Sequence, residues 1–250
     1  MPRPDVAVLS DIHGNRWALE AVLDDIRRRG IRAMVNLGDC LYGPLDPAGT
    51  AKMLMELAMP TVRGNEDRIL LDEPGQHPDS PSLTFVQSEL KAEHRRWLER
   101  LPLTAIAFGD ILLCHGSPEN DSDYLLREVL SSGCVLRDAA VIAKKLAAVA
   151  QPVVCCGHDH LPAFMRLADG RHVLDPGSVG LPAYRDRLPF PHAMETGSPH
   201  ARYAVVRHTH AGIDVEHIAV VYDWQTAAAT AADNGRPDWA GCLRSGRAAK

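Results

Sequence analysis

Residues 5–30 read DVAVLSDIHGNRWALEAVLDDIRRRG. The apolar run DVAVL has the length of a strand, SDIHGN is a polar turn, and WALEAVLDDIRRRG carries apolar residues at helical spacing up to a stop at Gly30. The same order recurs in RAMVNL (32–37), the loop GDCLYGPLD, the helical stretch TAKMLMELA and an expected strand PTVRG (60–64) that enters GNED. Strand, loop and helix units of this kind build a largely buried sheet with helices on its faces, so these segments set an α/β fold.

Working outward, two helical patterns, SLTFVQSEL and AEHRRWLERL, lead into TAIAF and DILLCH, which the GD at 109–110 marks as a hairpin. The stretch SSGCVLRDAAVIAKKLAAVA (131–150) reads as a helix, and QPVVCCGHDH as a strand running into a polar loop. AFMRLADGRHVLD and RYAVVRHTHAGIDVEHIAVVYD each read as a hairpin. Parallel-type units therefore come first and antiparallel hairpins later, without a Pro/Gly/Ser-rich linker between them. The expectation is one domain over residues 1–223, two sheets face to face with helices outside, followed by a final helix and frayed end over 224–250. Residues 182–203 read as a long Pro-containing loop, expected to be a lid or an inert surface loop.

A chain of 250 residues suffices for one sizeable core, and 46% hydrophobic against 5% aromatic residues leaves the aliphatics to build it. A net charge of -5 gives no basic footprint for sequence-independent nucleic-acid binding. The N-terminal segment lacks a secretory h-region and no run reaches membrane-spanning length, so a cytoplasmic protein is expected. The irregular cysteines at 40, 114, 134, 155, 156 and 242 read as reduced thiols, mostly buried, and not as a disulfide framework.

Five polar clusters each follow a strand-like run: Asp11 with His13, Asp39, Asn65, His115, and His158 with His160. Loops leaving the carboxyl ends of strands share one rim of an open sheet, so these clusters are expected to converge. Carboxylate and amide oxygens mixed with imidazoles favour a pair of divalent transition metals. In an extended DIH segment Asp11 and His13 would face the same way and hold one ion, and GHDH would repeat that device.

SDIHGN, NLGD, RGNED, LLCHG and CGHDH, in this order and spacing, resemble the calcineurin-like metallophosphoesterases over about residues 5–180, and GSVGLP fits the bacterial members. The resemblance implies a four-layer sandwich of two mixed β-sheets flanked by helices. It implies that Asp11, His13 and His160 hold a first metal, that Asp39 bridges, and that Asn65, His115 and His158 hold a second. The two ions would be Mn²⁺, Fe²⁺/Fe³⁺ or Zn²⁺, and a water shared between them would supply hydroxide for in-line attack on phosphorus. The substrate expected is a small phosphorylated molecule, a phosphodiester such as a nucleotide. A phosphomonoesterase or protein phosphatase, a dinucleoside polyphosphate hydrolase, and a non-catalytic metal-binding scaffold are the alternatives.

The chain departs from many relatives at Glu66, where they carry a histidine credited with assisting the leaving group. Asn65, Glu66 and Asp67 are the candidate catalytic residues, and a glutamate buried beside Asp67 acts as an acid only if its pKa rises well above the ordinary ~4.3. Arg185 and Arg187, in the 182–203 segment, are the candidate phosphate-binding arginines. Arg63 and Arg68 read as ion-pair residues, and Asn15 as a turn-fixing residue. Cys155 and Cys156 read as core residues on opposite faces of a strand. His77, His94, His172, His208, His210 and His217 read as ordinary solvated or hydrogen-bonded histidines.

Overall fold

The computed structural model of the chain describes residues 3–73, 76 and 80–248; His77 lies outside them. The opening segment folds as expected, with strand β1 (Val6–Leu9) and helix α1 (Arg16–Arg28). The Asn15 side chain accepts the Ala18 N–H at the start of α1, and its amide donates to the Gly180 carbonyl and lies 3.2 Å from the Tyr222 hydroxyl. Asn15 thus caps a helix and ties two distant segments to the first loop. Strand β2 (Ala33–Asn36) and helices α2 (Pro47–Leu57), α3 (Asn65–Ile69), α4 (Pro81–Glu89) and α5 (Ala92–Glu99) follow.

The middle of the chain supplies β3 (Thr104–Ala107), β4 (Ile111–Cys114), β5 (Arg127–Leu130), β6 (Gly133–Leu136), α6 (Ala139–Lys145), β7 (Val153–Cys155), β8 (Ala163–Arg166) and β9 (His172–Asp175). The last part holds β10 (Ala183–Asp186), β11 (His192–Glu195), β12 (Ala201–Thr209), β13 (Gly212–Val220), α7 (Trp224–Asp233) and α8 (Pro237–Ser245). One sheet has the order β13-β12-β1-β2, the other β3-β4-β7-β9-β8, and both mix parallel and antiparallel pairs. Two-stranded ribbons, β5-β6 and β10-β11, stand apart.

Strand alternation accounts for the layers. Val6, Val8, Ile111, Leu113, Val153 and Cys155 point into the core between the two sheets. Ala7 and Leu9 point outward, into the core shared with α1, α2, α4, α5, α7 and α8. Leu112, Cys114, Val154 and Cys156 point outward from the second sheet, onto Ile142 and Leu146 near α6. Both faces of both sheets are covered, which is the four-layer α/β sandwich. Cys155 and Cys156 lie on opposite faces as expected, and none of the six cysteines is in a disulfide, five of them being buried.

Four local expectations fail. PTVRG contributes only an isolated bridge, Asn36 to Thr61, because a proline opens the segment and α3 begins at Asn65. The expected helix at 131–150 is the end of a ribbon plus the short α6, since Gly133 at φ 128° turns β5 into β6. The loop at 182–203 is largely the β10-β11 ribbon, with four residue pairs in register from Ala183–Glu195 to Asp186–His192. The tail is two helices whose apolar residues, including Ala228, Ala231, Trp239 and Leu243, join the main core.

Candidate metal centre

The proposed ligands come from one kind of place. Asp11 and His13 follow β1, Asp39 follows β2, His115 follows β4, and His158 and His160 follow β7, the strands of the parallel pairs β1-β2 and β4-β7 in the two sheets. Asn65 opens α3. Gly64 brings that helix against the Asp39 loop: a β-carbon there would collide with the Asp39 backbone and carboxylate, so only glycine permits the approach.

These residues do not sit in extended backbone, contrary to the reading of DIH and GHDH. Asp11, His13, Asp39, His158 and His160 all have φ between 50° and 73°, in the left-handed region, and among the described residues only Ala58 and Phe108 join them as non-glycines there. Strained backbone concentrated on five chemically apt side chains marks a functional site, because the fold would otherwise relax it. The GHDH pair also divides: His160 faces Asp11 and His13, whereas His158 faces Asp39 and His115.

Donor atoms of Asp11, His13 and His160 lie within 4.8 Å of one another, and so do those of Asp39, His115 and His158. Asp39 also joins His13 and Glu66 in a third such grouping, which puts it between the two sides. The imidazole tautomers are fixed from behind. Nδ1 of His13, His115 and His160 lies 3.0, 2.9 and 2.8 Å from the carbonyl oxygens of Tyr42, Leu37 and Leu181, and a carbonyl only accepts, so each Nδ1 carries the proton. Each ring thereby turns Nε2 inward, as the atom that takes up a cation or a proton. The Nε2 atoms of His13 and His160 face each other at 3.1 Å, and that of His115 faces Asn65 Oδ1 at 3.1 Å and Asp39 Oδ2 at 3.2 Å. Acceptor facing acceptor is repulsive unless a cation or proton lies between, and backbone-held imidazoles are the usual support of a metal ligand set.

The electrostatics point the same way. Burial would lower the pKa of His13 and His115, yet the surrounding carboxylates outweigh it and hold them up at about 9 and about 10. Burial would raise Asp11, but His160, His115 and His13 hold it well below the ordinary carboxylate range. His158, half-buried beside His115, is pushed down to about 4 by desolvation and by that neighbour, which keeps its ring neutral and one nitrogen lone pair available. Asp11 Oδ1 is buried and has no hydrogen-bond partner among the described residues. The pocket thus draws in positive charge, and its donors fit two divalent ions.

Glu66 Oε2, itself buried, lies 3.1 Å from His13 Nδ1, the nitrogen that also faces the Tyr42 carbonyl. Burial pushes the Glu66 carboxyl up to about 7, against the pull of His13. Asp67 does not face the same space: its two oxygens accept the N–H groups of Cys40 and Gly64 at 2.9 and 3.1 Å, which locks α3 to the Asp39 loop. The Glu66 N–H in turn donates to Asp39 Oδ1 at 2.9 Å.

A cavity of about 410 Å³ opens over the centre. Arg185 lines it, whereas Arg187, exposed near the tip of the β10-β11 ribbon, does not. Arg68 pairs with Asp121 in a two-pronged contact at 2.9 and 3.0 Å. Tyr42, Tyr124, Tyr184 and Trp239 also line the cavity, and no local motif announced them. Their only sequence signal is that aromatic residues are scarce in this chain, so four at one opening is a concentration.

Residues 5–196 match the model of the calcineurin-like phosphoesterase superfamily domain. A solved metallophosphoesterase from Sphaerobacter thermophilus has a TM-score of 0.76 and 26% identity, over 97% of this chain and 99% of its own. A hypothetical protein from Pyrococcus horikoshii OT3 shares the fold with a TM-score of 0.75 at 21% identity, over 98% and 99% of the two chains. An uncharacterized protein of Methanocaldococcus jannaschii is 25% identical over 253 residues, which span 96% of this chain and 97% of that one. With the sandwich, the convergent His/Asp groups and the match over most of its length, the chain belongs to the calcineurin-like phosphoesterase superfamily.

Proposed function

We propose that the chain is a dinuclear-metal hydrolase of a phosphodiester, with a nucleotide as the kind of substrate it takes. Asp11, His13 and His160 would hold one ion, Asn65, His115 and His158 the other, and Asp39 would lie between them. The observation that carries this reading is the set of imidazole Nε2 atoms turned towards one another and towards oxygen acceptors from backbone-fixed rings. Two divalent ions supply Lewis-acid polarisation of the phosphoryl oxygens and a water acidified enough to act as nucleophile near neutral pH.

The rest is done by the chain. The carbonyls of Tyr42, Leu37 and Leu181 hold three rings in one tautomer, so no reorganisation is needed when charge develops. Asp67 fixes the distance between Asp39 and Asn65 through the backbone. Glu66 stands at the cavity wall where relatives place a histidine, and the reading assigns it to substrate choice: without an imidazole to serve the leaving group, esters with good leaving groups are favoured. Arg185 at the rim is the candidate contact for a phosphoryl substituent, and Arg187 belongs to the same ribbon.

The test reloads metal-free protein with Mn²⁺ and follows bis-p-nitrophenyl phosphate and p-nitrophenyl phosphate beside an Asp39→Asn control. Hydrolysis that requires Mn²⁺ and Asp39, with the diester preferred, is the expected result. A monoester preference moves the protein to the phosphomonoesterases, and silence on both esters with metal bound moves it to the scaffolds. For Glu66, a leaving-group series with wild type, Glu66→Gln and Glu66→His should show a shallower dependence for Glu66→His. Three parallel slopes would remove Glu66 from substrate choice.

A further inference from the structure

The matched family domain ends at residue 196, yet one wall of the cavity over the metal centre comes from beyond it: Arg236, Asp238, Trp239, Cys242 and Ala248, in and around α8. This helix is anchored on several sides. Asn234 donates to the Pro44 carbonyl at 3.0 Å, Arg236 donates to Ser82 Oγ, and the Ala248 N–H donates to Glu195 at 2.9 Å. Arg236 is also held by Asp238 through two contacts, at 2.9 and 2.6 Å, so α8 offers the cavity little uncompensated charge. What it adds is apolar and aromatic.

Trp239 is only 8% exposed and acts as a backing plate. Its ring meets the His13 ring edge-on at 5.8 Å and lies 6.4 Å from the Tyr42 ring. Gly43, at φ 151°, lets the loop carrying Tyr42 close on that indole, since a β-carbon would strike both Trp239 and the His13 carbonyl. Tyr42 is half-buried, with its hydroxyl 3.0 Å from Ser80 Oγ.

Tyr184 and Tyr124 line the cavity beside the other two histidines. Tyr184 packs edge-on to His160 at 4.6 Å, and Tyr124 stacks on His158 at 4.8 Å. The Tyr184 hydroxyl lies 2.8 Å from that of Tyr124 and 3.0 Å from the His158 carbonyl, and the Tyr124 hydroxyl lies 3.1 Å from His192 Nε2. With the hydroxyls committed to protein partners, these side chains present carbon surface to the cavity.

We propose that α8 is the specificity element of this site: by seating Tyr42 on Trp239 beside Tyr184 and Tyr124, it makes an aromatic-lined slot for the flat ring of a nucleoside phosphate. The inference rests on the phosphoesterase reading, which places the phosphoryl group at the metal centre and the remainder of the molecule in the cavity. A volume of about 410 Å³ admits one nucleotide unit and excludes a folded protein segment. Aromatic side chains hold any base by its π-face, so the slot selects for a ring without selecting which base.

The test is direct binding, without turnover, by calorimetry on the Mn²⁺-loaded protein, with inorganic phosphate, ribose 5-phosphate, phenyl phosphate and AMP. AMP and ribose 5-phosphate share phosphate and sugar and differ by the base. Stacking predicts AMP about tenfold tighter than ribose 5-phosphate in the wild type, with the ratio falling below about threefold in Tyr42→Leu and in Trp239→Ala. Ribose 5-phosphate affinity and metal stoichiometry should stay within about twofold of wild type in Tyr42→Leu, which a general loss of structure would not allow. Tyr42→Leu decides the matter if Trp239→Ala does not fold. Phenyl phosphate matching AMP would place the ring directly on the phosphate, and AMP alone binding tightly would place it one sugar away. Equal binding of AMP and ribose 5-phosphate, or a ratio unchanged in the variants, overturns the slot while phosphate binding leaves the phosphoesterase reading standing. Failure of inorganic phosphate to bind would overturn both.

Discussion

Asp67 separates a chemical role from a structural one, and its replacement has a calculable cost. The residue is fully buried and its two oxygens accept backbone N–H groups from Cys40 and Gly64. Asp67→Asn keeps one acceptor and turns an NH₂ group towards the other N–H, leaving one buried donor unsatisfied at about 1–3 kcal/mol. Asp67→Ala strands both donors and removes packed volume, for about 2–5 kcal/mol. Burial and the neighbouring Asp39 raise the Asp67 carboxyl to about 6, so loss of that repulsion offsets part of the cost. The lower half of each range follows: about 1–2 kcal/mol for Asn and about 2–3.5 for Ala, or thermal midpoints lower by roughly 2–8 °C and 4–14 °C. Urea unfolding of metal-free protein, followed by circular dichroism, measures the difference directly. Both variants within about 0.5 kcal/mol of wild type, with hydrolysis lost, would refute the structural assignment and make Asp67 part of the chemistry.

Asp39→Asn and His160→Ala are each expected to lower Mn²⁺ binding from two ions per chain towards one, read by metal analysis after gel filtration; full stoichiometry in both would break the ligand assignment. Removal of metal with a chelator should lower the thermal midpoint, because an ion at a thousand times its Kd stabilises the folded state by about 4 kcal/mol, and an unchanged melting curve would contradict tight binding at this centre. Away from the site, Tyr203 donates to Asp25 Oδ2 at 2.7 Å, and Tyr203→Phe should cost about 1 kcal/mol by urea unfolding. Burial pushes the Asp25 carboxyl up, but Tyr203, Arg29 and Arg28 hold it below its ordinary value. A depressed carboxylate contributes its stability above the unfolded pKa of about 3.9 and loses it as pH falls through the folded value. The cost of Tyr203→Phe should therefore be full at pH 6 and shrink below pH 4; a cost independent of pH would refute the coupling.

The layers and the seven candidate ligands were legible in the sequence because both depend on short-range pattern. Val6 and Val8 face one core and Ala7 and Leu9 another by strand alternation alone. The polar clusters stand out because each interrupts an apolar run at a strand end. Local pattern failed where a segment's state is set by its neighbours. Residues 131–150 have helical spacing, but Gly133 and the pairing of β5 with β6 claim the first part. Residues 182–203 carry loop-like prolines, yet β10 and β11 pair across them.

The sequence by itself determined the sandwich, the family resemblance and the set of candidate donors, since side-chain chemistry and alternation are properties of the chain read locally. Spacing alone put His158 and His160 on one face, and only the resemblance divided them; the tertiary structure shows the backbone behind that division, with both residues left-handed and each facing different partners. It also decided that Asp67 binds backbone while Glu66 reaches His13, and that α8 returns from the end of the chain to wall the cavity. Such contacts join residues far apart in sequence, and their energy exists only once the intervening chain has paid its ordering entropy and packed, so no window of residues carries their signal.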